Sequence, residues 1–329
     1  MAEPTLKSQG WALFDQVVEA SPLRDLSPWA SVGDRIEYQP DYGTLARLLG
    51  VPVFLGALSQ SGVPALALDV WTAYELRRAG FHPDRVWPRA GSPRVLPYDV
   101  SALVESLPKN LREAVQDRLE RGHSGGTASA SANLLGKNYV KQVDVVMSAW
   151  QTGPELMIST KRMDSSFGKN AANRVEESYG DAKNLSLRHP QAALGFLYGL
   201  RSTAFTEEPD TAAWLLDLLA KLGREDDAYD AVGLIVPEWT AAVPPGDDGG
   251  VTEDAAPLTI DPPVVDEPDS QPVPVLRISV ESIPIVTLRH DLIPEELSPS
   301  RFFAIMVNTV LDNSPINMHT LARARRAHV

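Results

Sequence analysis

Two apolar, β-branched runs stand side by side in the middle of the chain: YVKQVDVVMSAW, residues 139–150, and ELMISTKRM, residues 155–163. Only the turn Gln151-Thr152-Gly153-Pro154 separates them, and runs of this composition bounded by turn formers read as β-strands. The segments C-terminal to this pair fix the fold class. DSSFGKN leads into AANRVEESYGDAKNL, where Ala172, Val175, Tyr179 and Ala182 recur at helical spacing and mark one buried stripe. His189-Pro190 ends that helix. AALGFLYGLRSTAF then reads as a buried strand, TAAWLLDLLAKLG as an amphipathic helix and DAVGLIVPEW as another strand. Strands interleaved with helices in this way predict an α/β protein with a central mixed sheet flanked by helices.

The remaining sequence divides around that core. Residues 1–60 read as an N-terminal helical region. Leu66, Val70, Ala73 and Leu76 repeat at helical spacing with Gly80 as the stop, and a second amphipathic helix is predicted across Val104–Leu119. HSGGTASASANLLGKN, residues 123–138, is small and polar and reads as a loop inserted in the core, which spans residues 61–240. Residues 241–274 are acidic and proline-rich, too poor in apolar surface to offset their ordering entropy, and are expected to be a disordered insertion. Residues 275–329 resume with the strand-like LRISVESIPIVTL and the helical SPSRFFAIMVNTVLDN, a strand–helix region packing on the core.

A net charge of −13 argues at first against a nucleic-acid partner, but its distribution does not. The stretch from Glu207 to Val275 holds 17 acidic residues against Lys221 and Arg224 only, a local net of −15, so the remainder carries +2. Ser131 to Thr206 holds nine Lys or Arg against six Asp or Glu, and a phosphate-binding face can form there. The absence of cysteine removes thiolate metal sites and cysteine nucleophiles together. The histidines show no H-x-E or H-E-x-x-H spacing for zinc. Gly136-Lys137 lacks the upstream glycine spacing of a P-loop, so no nucleotide cofactor is expected. With no long apolar run, and no basic start before an apolar core, no membrane partner is expected and the protein reads as cytoplasmic.

Metal-assisted hydrolysis of a phosphodiester needs carboxylates to hold Mg²⁺ and a cation near the attacking water or the phosphate. Adjacent strands can supply both, because side chains alternate faces and equivalent positions converge at one end. Asp144 lies inside the apolar QVDVVM, where a merely solvated carboxylate is unexpected. Lys161 ends ELMISTK and shares a face with Ser159. Glu176 and Glu177 are on the next helix, Glu176 next to Ala172 and Tyr179 at helical spacing and so able to look inward. Glu75 lies on the helix before the core. The plainer alternatives are that Asp144 caps a strand end, that Lys161 snorkels from one, and that the glutamates are solvated helix residues. Glu155 shares the face of Lys161 but lies about 13 Å along the strand from Ser159, and is expected to open the strand in solvent.

The order helix, strand, strand with Asp, strand with Lys, helix, strand resembles the PD-(D/E)XK nucleases, the restriction-endonuclease-like superfamily, over roughly residues 66–206. Val143-Asp144 stands where that family has a proline–aspartate pair, and Ser159-Thr160-Lys161 where it has an acid two residues before a lysine. The pattern is similar to a variant among restriction enzymes that cut at CCGG-centred sites, in which serine precedes the lysine and the acid moves to the following helix. Glu176, fifteen residues after Lys161, fits that slot, with Glu177 the second choice. Glu75 matches the glutamate those enzymes carry on an early helix. The resemblance thus implies an αβββαβ core and a Mg²⁺-dependent deoxyribonuclease in which Mn²⁺ substitutes. Asp144, Glu176, Glu177 and Glu75 are the implied metal ligands. Lys161 would orient or activate water and stabilise the phosphate, with Ser159 in the motif beside it. The family's arginine-rich base-reading cluster is missing, since KRMDSSFGKN offers only Arg162, Asp164 and Lys169, so CCGG specificity is not implied.

Double-stranded DNA is the implied partner. Lys137 and Lys141 beside the glycine-rich loop, Arg162, and Lys169, Asn173 and Arg174 at the start of the following helix form the expected phosphate-contacting set. Cutting both strands of a duplex suits a two-fold homodimer. Restriction or defence against foreign DNA, as in restriction-modification, is the setting by analogy. The alternative is a catalytically inactive DNA-binding or regulatory protein that retains the nuclease fold, its acidic segment mimicking DNA or covering the cleft.

Overall fold

A computed structural model describes residues 5–58, 61–120, 131–240 and 278–327. Thr5 caps α1 (Leu6–Glu19), accepting a hydrogen bond from Ser8 N, and the helix buries Leu13, Phe14 and Val17. A hairpin of β1 (Trp29–Val32) and β2 (Arg35–Tyr38) comes next, so residues 1–60, expected to be a helical region, hold two strands as well. Trp29 and Tyr38 face each other across this hairpin with rings edge to face at 5.2 Å, the aromatic pairing that favours a ribbon. Asp41 caps α2 (Tyr42–Phe54), and α3 (Val63–Arg78) stops just before Gly80 as expected. After the short β3 (Val86–Trp87), α4 (Tyr98–Ser106) and α5 (Lys109–Glu120) stand where one helix across Val104–Leu119 was expected. Pro108 excludes the preceding residue from helical conformation, and Leu107 takes ψ 151°.

The long apolar run divides at Asp144. Its first part, β5 (Val140–Val143), pairs with β4 (Ala132–Leu135) in a separate hairpin, where a loop was expected for residues 132–135. Its second part, β6 (Val145–Ala149), turns into β7 (Gly153–Met163). Then come α6 (Phe167–Ser186), β8 (Ala193–Leu200), α7 (Ala204–Glu207), α8 (Pro209–Leu222) and β9 (Ala231–Ile235). The central sheet has five strands in the order β3-β6-β7-β8-β9. The first two pairings are antiparallel and the last two parallel, with Val145 opposite Ile158 and Lys161 opposite Tyr198. Taking only the central sheet and the helices α3 and α6, the order along the chain is α3, β3, β6, β7, α6, β8, with α4, α5 and the β4–β5 hairpin lying between β3 and β6.

β10 (Pro237–Glu238) pairs with β11 (Thr287–Leu288), and β11 is all the ladder that LRISVESIPIVTL contributes among the described residues. Pro284 has no N–H to donate, and the segment lies instead against α2: Val286 N donates to Ala46 O at 3.0 Å. Gly50 permits that approach, because a Cβ there would fall 1.7 Å from Pro284 O. α9 (Pro299–Asn313) and α10 (Thr320–Ala327) close the chain. Alternation along the strands feeds two cores. Val145, Met147, Leu156, Ile158 and Leu197 pack with α1, α2, α3 and α9, so the N-terminal helices and α9 share one core with this face of the sheet. Val146, Met157, Phe196 and Tyr198 pack with α6 and α8 on the other face. All eight residues of β8 are buried, as a strand covered on both faces requires. The acidic residues 241–274 lie outside the described residues. No described helix is long and apolar enough to cross a membrane.

Candidate active site

Where β6 leaves the hairpin, its neighbour β7 runs on, and the N–H of Thr160 faces the gap. Asp144 fills it: its carboxylate accepts that N–H at 2.7 Å. An aspartate inside an apolar run is therefore stabilised by supplying the acceptor that a ladder carbonyl would otherwise provide. On the α3 side of β7 the Thr160 hydroxyl donates to Asp69 of α3, a residue only 7% exposed. Two carboxylates from different elements thus engage one residue, next in sequence to Lys161. Alternation turns Ser159 and the half-buried Lys161 to the α6 side of the sheet and Thr160 to the α3 side.

Under α6 lies a second polar group. Tyr229 is buried, stacked on Phe196 with centroids 5.3 Å apart, and donates to Ser178 O at 2.8 Å. Burial raises its phenol pKa strongly, and the Asp181 and Asp144 carboxylates raise it further, while hydrogen bonds with the Ser159 and Ser178 side chains oppose them. Asp181, buried on α6, receives Lys141 Nζ at 2.9 Å and Tyr139 Oη at 2.9 Å. Burial and then Asp181 push the Tyr139 phenol up to about 12. β5, α6 and the start of β9 are thereby tied together around Ser159.

The expected site residues separate. Asp144, Ser159 and Lys161 gather at one end of the sheet, but Glu176 does not join them. The buried face of α6 carries Ala171, Ser178, Asp181, Ala182 and Leu185, whereas Ala172 and Tyr179, expected to be buried, are exposed. At about 100° per residue Glu176 points roughly 160° away from Ser178, into solvent. Glu177 is also exposed, on the flank shared with Arg174 and Asp181. Glu75 lies on α3 about 9 Å along the axis from Asp69. Its buried carboxylate accepts from Asp41 N at 2.7 Å, Tyr38 Oη at 3.0 Å and Arg78 Nη1 at 2.8 Å. It holds the N-terminal layer together and is not turned toward Asp144.

Of the expected DNA contacts, Lys137 and Asn173 are exposed. Lys141 is committed to Asp181, and Arg162 to Asp164 at 2.8 Å, to Pro64 O at 3.1 Å and to the face of Trp239 at 5.0 Å. Arg174 is half-buried with an Nε that makes no hydrogen bond. The side chain of Lys169 lies outside the described residues. Glu155, expected in solvent, is buried. It accepts from Thr152 Oγ1 at 2.9 Å and pairs with His319 at 2.6 Å and Arg85 at 3.5 Å. The αL turn at His319, φ 51°, leads into α10 and brings that imidazole to β7.

Sequence reasoning missed Asp69, Asp181 and Tyr229. Asp69 carried the same signal as Asp144, an acid inside an apolar run (ALALDVW). Asp181 and Tyr229 carried none, because their partners are remote in sequence. Among the described residues no three His, Asp or Glu side chains gather as a ready metal cage. No family model matches the chain, and no curated protein or solved structure does.

Proposed function

We propose that this chain is a metal-dependent endonuclease hydrolysing phosphodiester bonds of double-stranded DNA, on a restriction-endonuclease-like core. The observation that carries the reading is the convergence of Asp144 and Asp69 on Thr160, immediately before Lys161. With α4, α5 and the β4–β5 hairpin taken as an insertion between β3 and β6, the order α3, β3, β6, β7, α6, β8, paired antiparallel, antiparallel and parallel, supports the αβββαβ assignment.

The donor chemistry fits Mg²⁺, which is commonly held by one or two carboxylates while water and substrate phosphate complete its shell. Asp144 would hold it, and Asp69, on the α3 side of the sheet, anchors Thr160 from the other carboxylate contact. When bound, the ion neutralises charge on the phosphate oxygens. Lys161 orients water or holds the phosphate. Asp181, clamped by Lys141 and Tyr139, fixes the position of α6 against β5. Exposed Lys137 and Asn173 contact the backbone, and a homodimer cuts the two strands.

The test is cleavage of plasmid and phage DNAs, methylated and unmethylated, with Mg²⁺ or Mn²⁺. Metal-dependent cutting is expected, falling on the order of a hundredfold or more in Lys161→Ala. Cutting that survives in the variant puts the centre elsewhere. A second reading, a non-catalytic DNA-binding or regulatory protein on the same fold, is favoured by Ser159 in the acid position and by solvent-facing Glu176. DNA binding unaffected by Lys161→Ala, with no cutting of any substrate, would establish it.

A further inference from the structure

The β4–β5 hairpin carries no acidic residue of its own. Ser131 to Val143 contains two lysines and no carboxylate in a chain of net charge −13. Cross-strand register sets its two faces. On one, Ala132 lies opposite Val143 and Leu134 opposite Lys141; on the other, Asn133 lies opposite Gln142 and Leu135 opposite Val140. The first face turns inward, with Ala132 and Val143 in the α6-side core and Lys141 on Asp181. The second faces outward, with Asn133, Leu135 and Gln142 exposed.

The tip is fixed by one side chain of α6. Asn184, 2% exposed, accepts from the N–H of Asn138 at 2.8 Å and of Tyr139 at 3.3 Å, and donates to Tyr139 O at 3.0 Å. Its own main-chain carbonyl takes Lys137 N at 2.7 Å. Gly136 is required, because a Cβ there would fall 2.1 Å from the Asn184 amide nitrogen. Lys137 and Asn138 are therefore presented to solvent on a fixed backbone, so that only their side chains remain to be ordered on a ligand.

We infer that this hairpin is a base-reading ribbon that enters the major groove of double-stranded DNA. A groove about 12 Å wide admits a two-stranded ribbon, and Asn or Gln amides pair with the N6 and N7 edge of adenine. Asn133 and Gln142, side by side on the outward face, supply two such amides. Leu135 and Val140 offer apolar surface to a thymine methyl, and Lys137 takes a phosphate. The ribbon reads A·T-containing steps. Val143 runs directly into Asp144, so a duplex seated on the ribbon is delivered to the candidate site. The inference rests on the DNA substrate proposed above and adds the element that reads sequence.

The experiment is selection from a duplex library with a randomised centre, in Ca²⁺ to prevent cutting. Wild type is compared with Lys137→Ala and with the double variant Asn133→Ala/Gln142→Ala, both surface changes, with circular dichroism as the folding control. Wild type is expected to enrich A·T-containing sites. The double variant should lose about tenfold preference at the positions read. Lys137→Ala should weaken binding evenly across sequences and reduce the salt slope by about one. An unchanged motif in the double variant, or no motif in wild type, overturns the ribbon. Mg²⁺-dependent cutting by the same wild type would leave the nuclease reading standing alone. A ribbon-dependent motif in a protein that never cuts keeps the ribbon and removes the nuclease.

Discussion

Replacing Glu75 separates architecture from chemistry at the residue where the two were easiest to confuse. Glu75 and Arg78 are 0% and 3% exposed and pair at 2.8 Å, with Tyr38 Oη and Asp41 N completing the carboxylate's shell. Burial pushes the Glu75 carboxyl up to about 7 against the pull of Arg78. Its unfolded value is near 4.5, so between these limits the folded protein binds more protons than the unfolded chain. Stability therefore falls as pH rises through that window and levels off above it, by about 3 kcal/mol at ~1.4 kcal/mol per unit. Glu75→Gln removes the titration. Urea unfolding of wild type and Glu75→Gln at about pH 5 and pH 8 isolates this residue, since every other titrating group cancels between them. The variant should gain on wild type by roughly 3 kcal/mol across the interval.

Glu75→Ala makes the complementary case at high pH. It leaves Arg78 buried without a counter-charge and Tyr38 Oη without its carboxylate acceptor, a loss of about 3–5 kcal/mol. That is a large part of the ~5–15 kcal/mol typical of a folded domain. Parallel pH profiles for wild type and Glu75→Gln would refute the network argument. A Glu75→Gln protein of unaltered stability that no longer cuts DNA would return the residue to the active site.

Three other perturbations probe the packing. Asn184→Ala frees the Asn138 and Tyr139 backbone groups at the hairpin tip, with an expected loss of about 1–3 kcal/mol; amide exchange should accelerate at Asn138 and Tyr139 and stay unchanged in β8. Glu155 has a depressed pKa: burial raises it, but His319, Thr152 and Arg85 together outweigh that. Its stabilisation is present above the ordinary carboxylate range and is lost as pH falls through the folded value, so Glu155→Gln should flatten the acid limb of a thermal-stability profile. Phe302, 1% exposed between α9 and the sheet, should cost about 3–5 kcal/mol on truncation to alanine, read as a lower urea midpoint with unchanged m.

Four of the five strands of the sheet were legible because they lie in mostly apolar runs, and AALGFLYGL permits little else; β3, only Val86 and Trp87, gave no such run. Helical spacing found α3, α8 and α9 for the same reason. It failed on α6, where the buried face carries Ser178, Asp181 and Asn184. Asp181 and Asn184 are satisfied by partners remote in sequence, Lys141 and the hairpin tip, and the Ser178 hydroxyl by Arg174 O one turn back. A hydrophobicity pattern reads such residues as solvent-facing, and it rotated the helix so that Glu176 seemed to look inward. Glu155 was misplaced in the same way, since the His319 that covers it arrives from the far end of the chain. Burial of polar groups is decided by tertiary hydrogen bonds, and those are what a linear pattern lacks.

Asp144 was singled out from sequence, but a break there entered only as the plainer alternative of a strand-end cap, because YVKQVDVVM has no glycine or proline to mark it. Hydrogen-bond accounting explains the break. If β5 continued as part of β6, a main-chain carbonyl would take the Thr160 N–H; since β5 leaves for β4, the Asp144 carboxylate takes it. Asparagine can still accept that N–H, whereas alanine cannot. Asp144→Asn should therefore hold its urea midpoint near wild type while losing metal-dependent cleavage. Asp144→Ala should lose both, with about 1–3 kcal/mol gone for the unsatisfied donor. Equal destabilisation by the two would mean that charge, not acceptance, holds the junction. Cleavage retained by the asparagine variant would mean that Asp144 is a structural cap and that the acids of the reaction lie elsewhere.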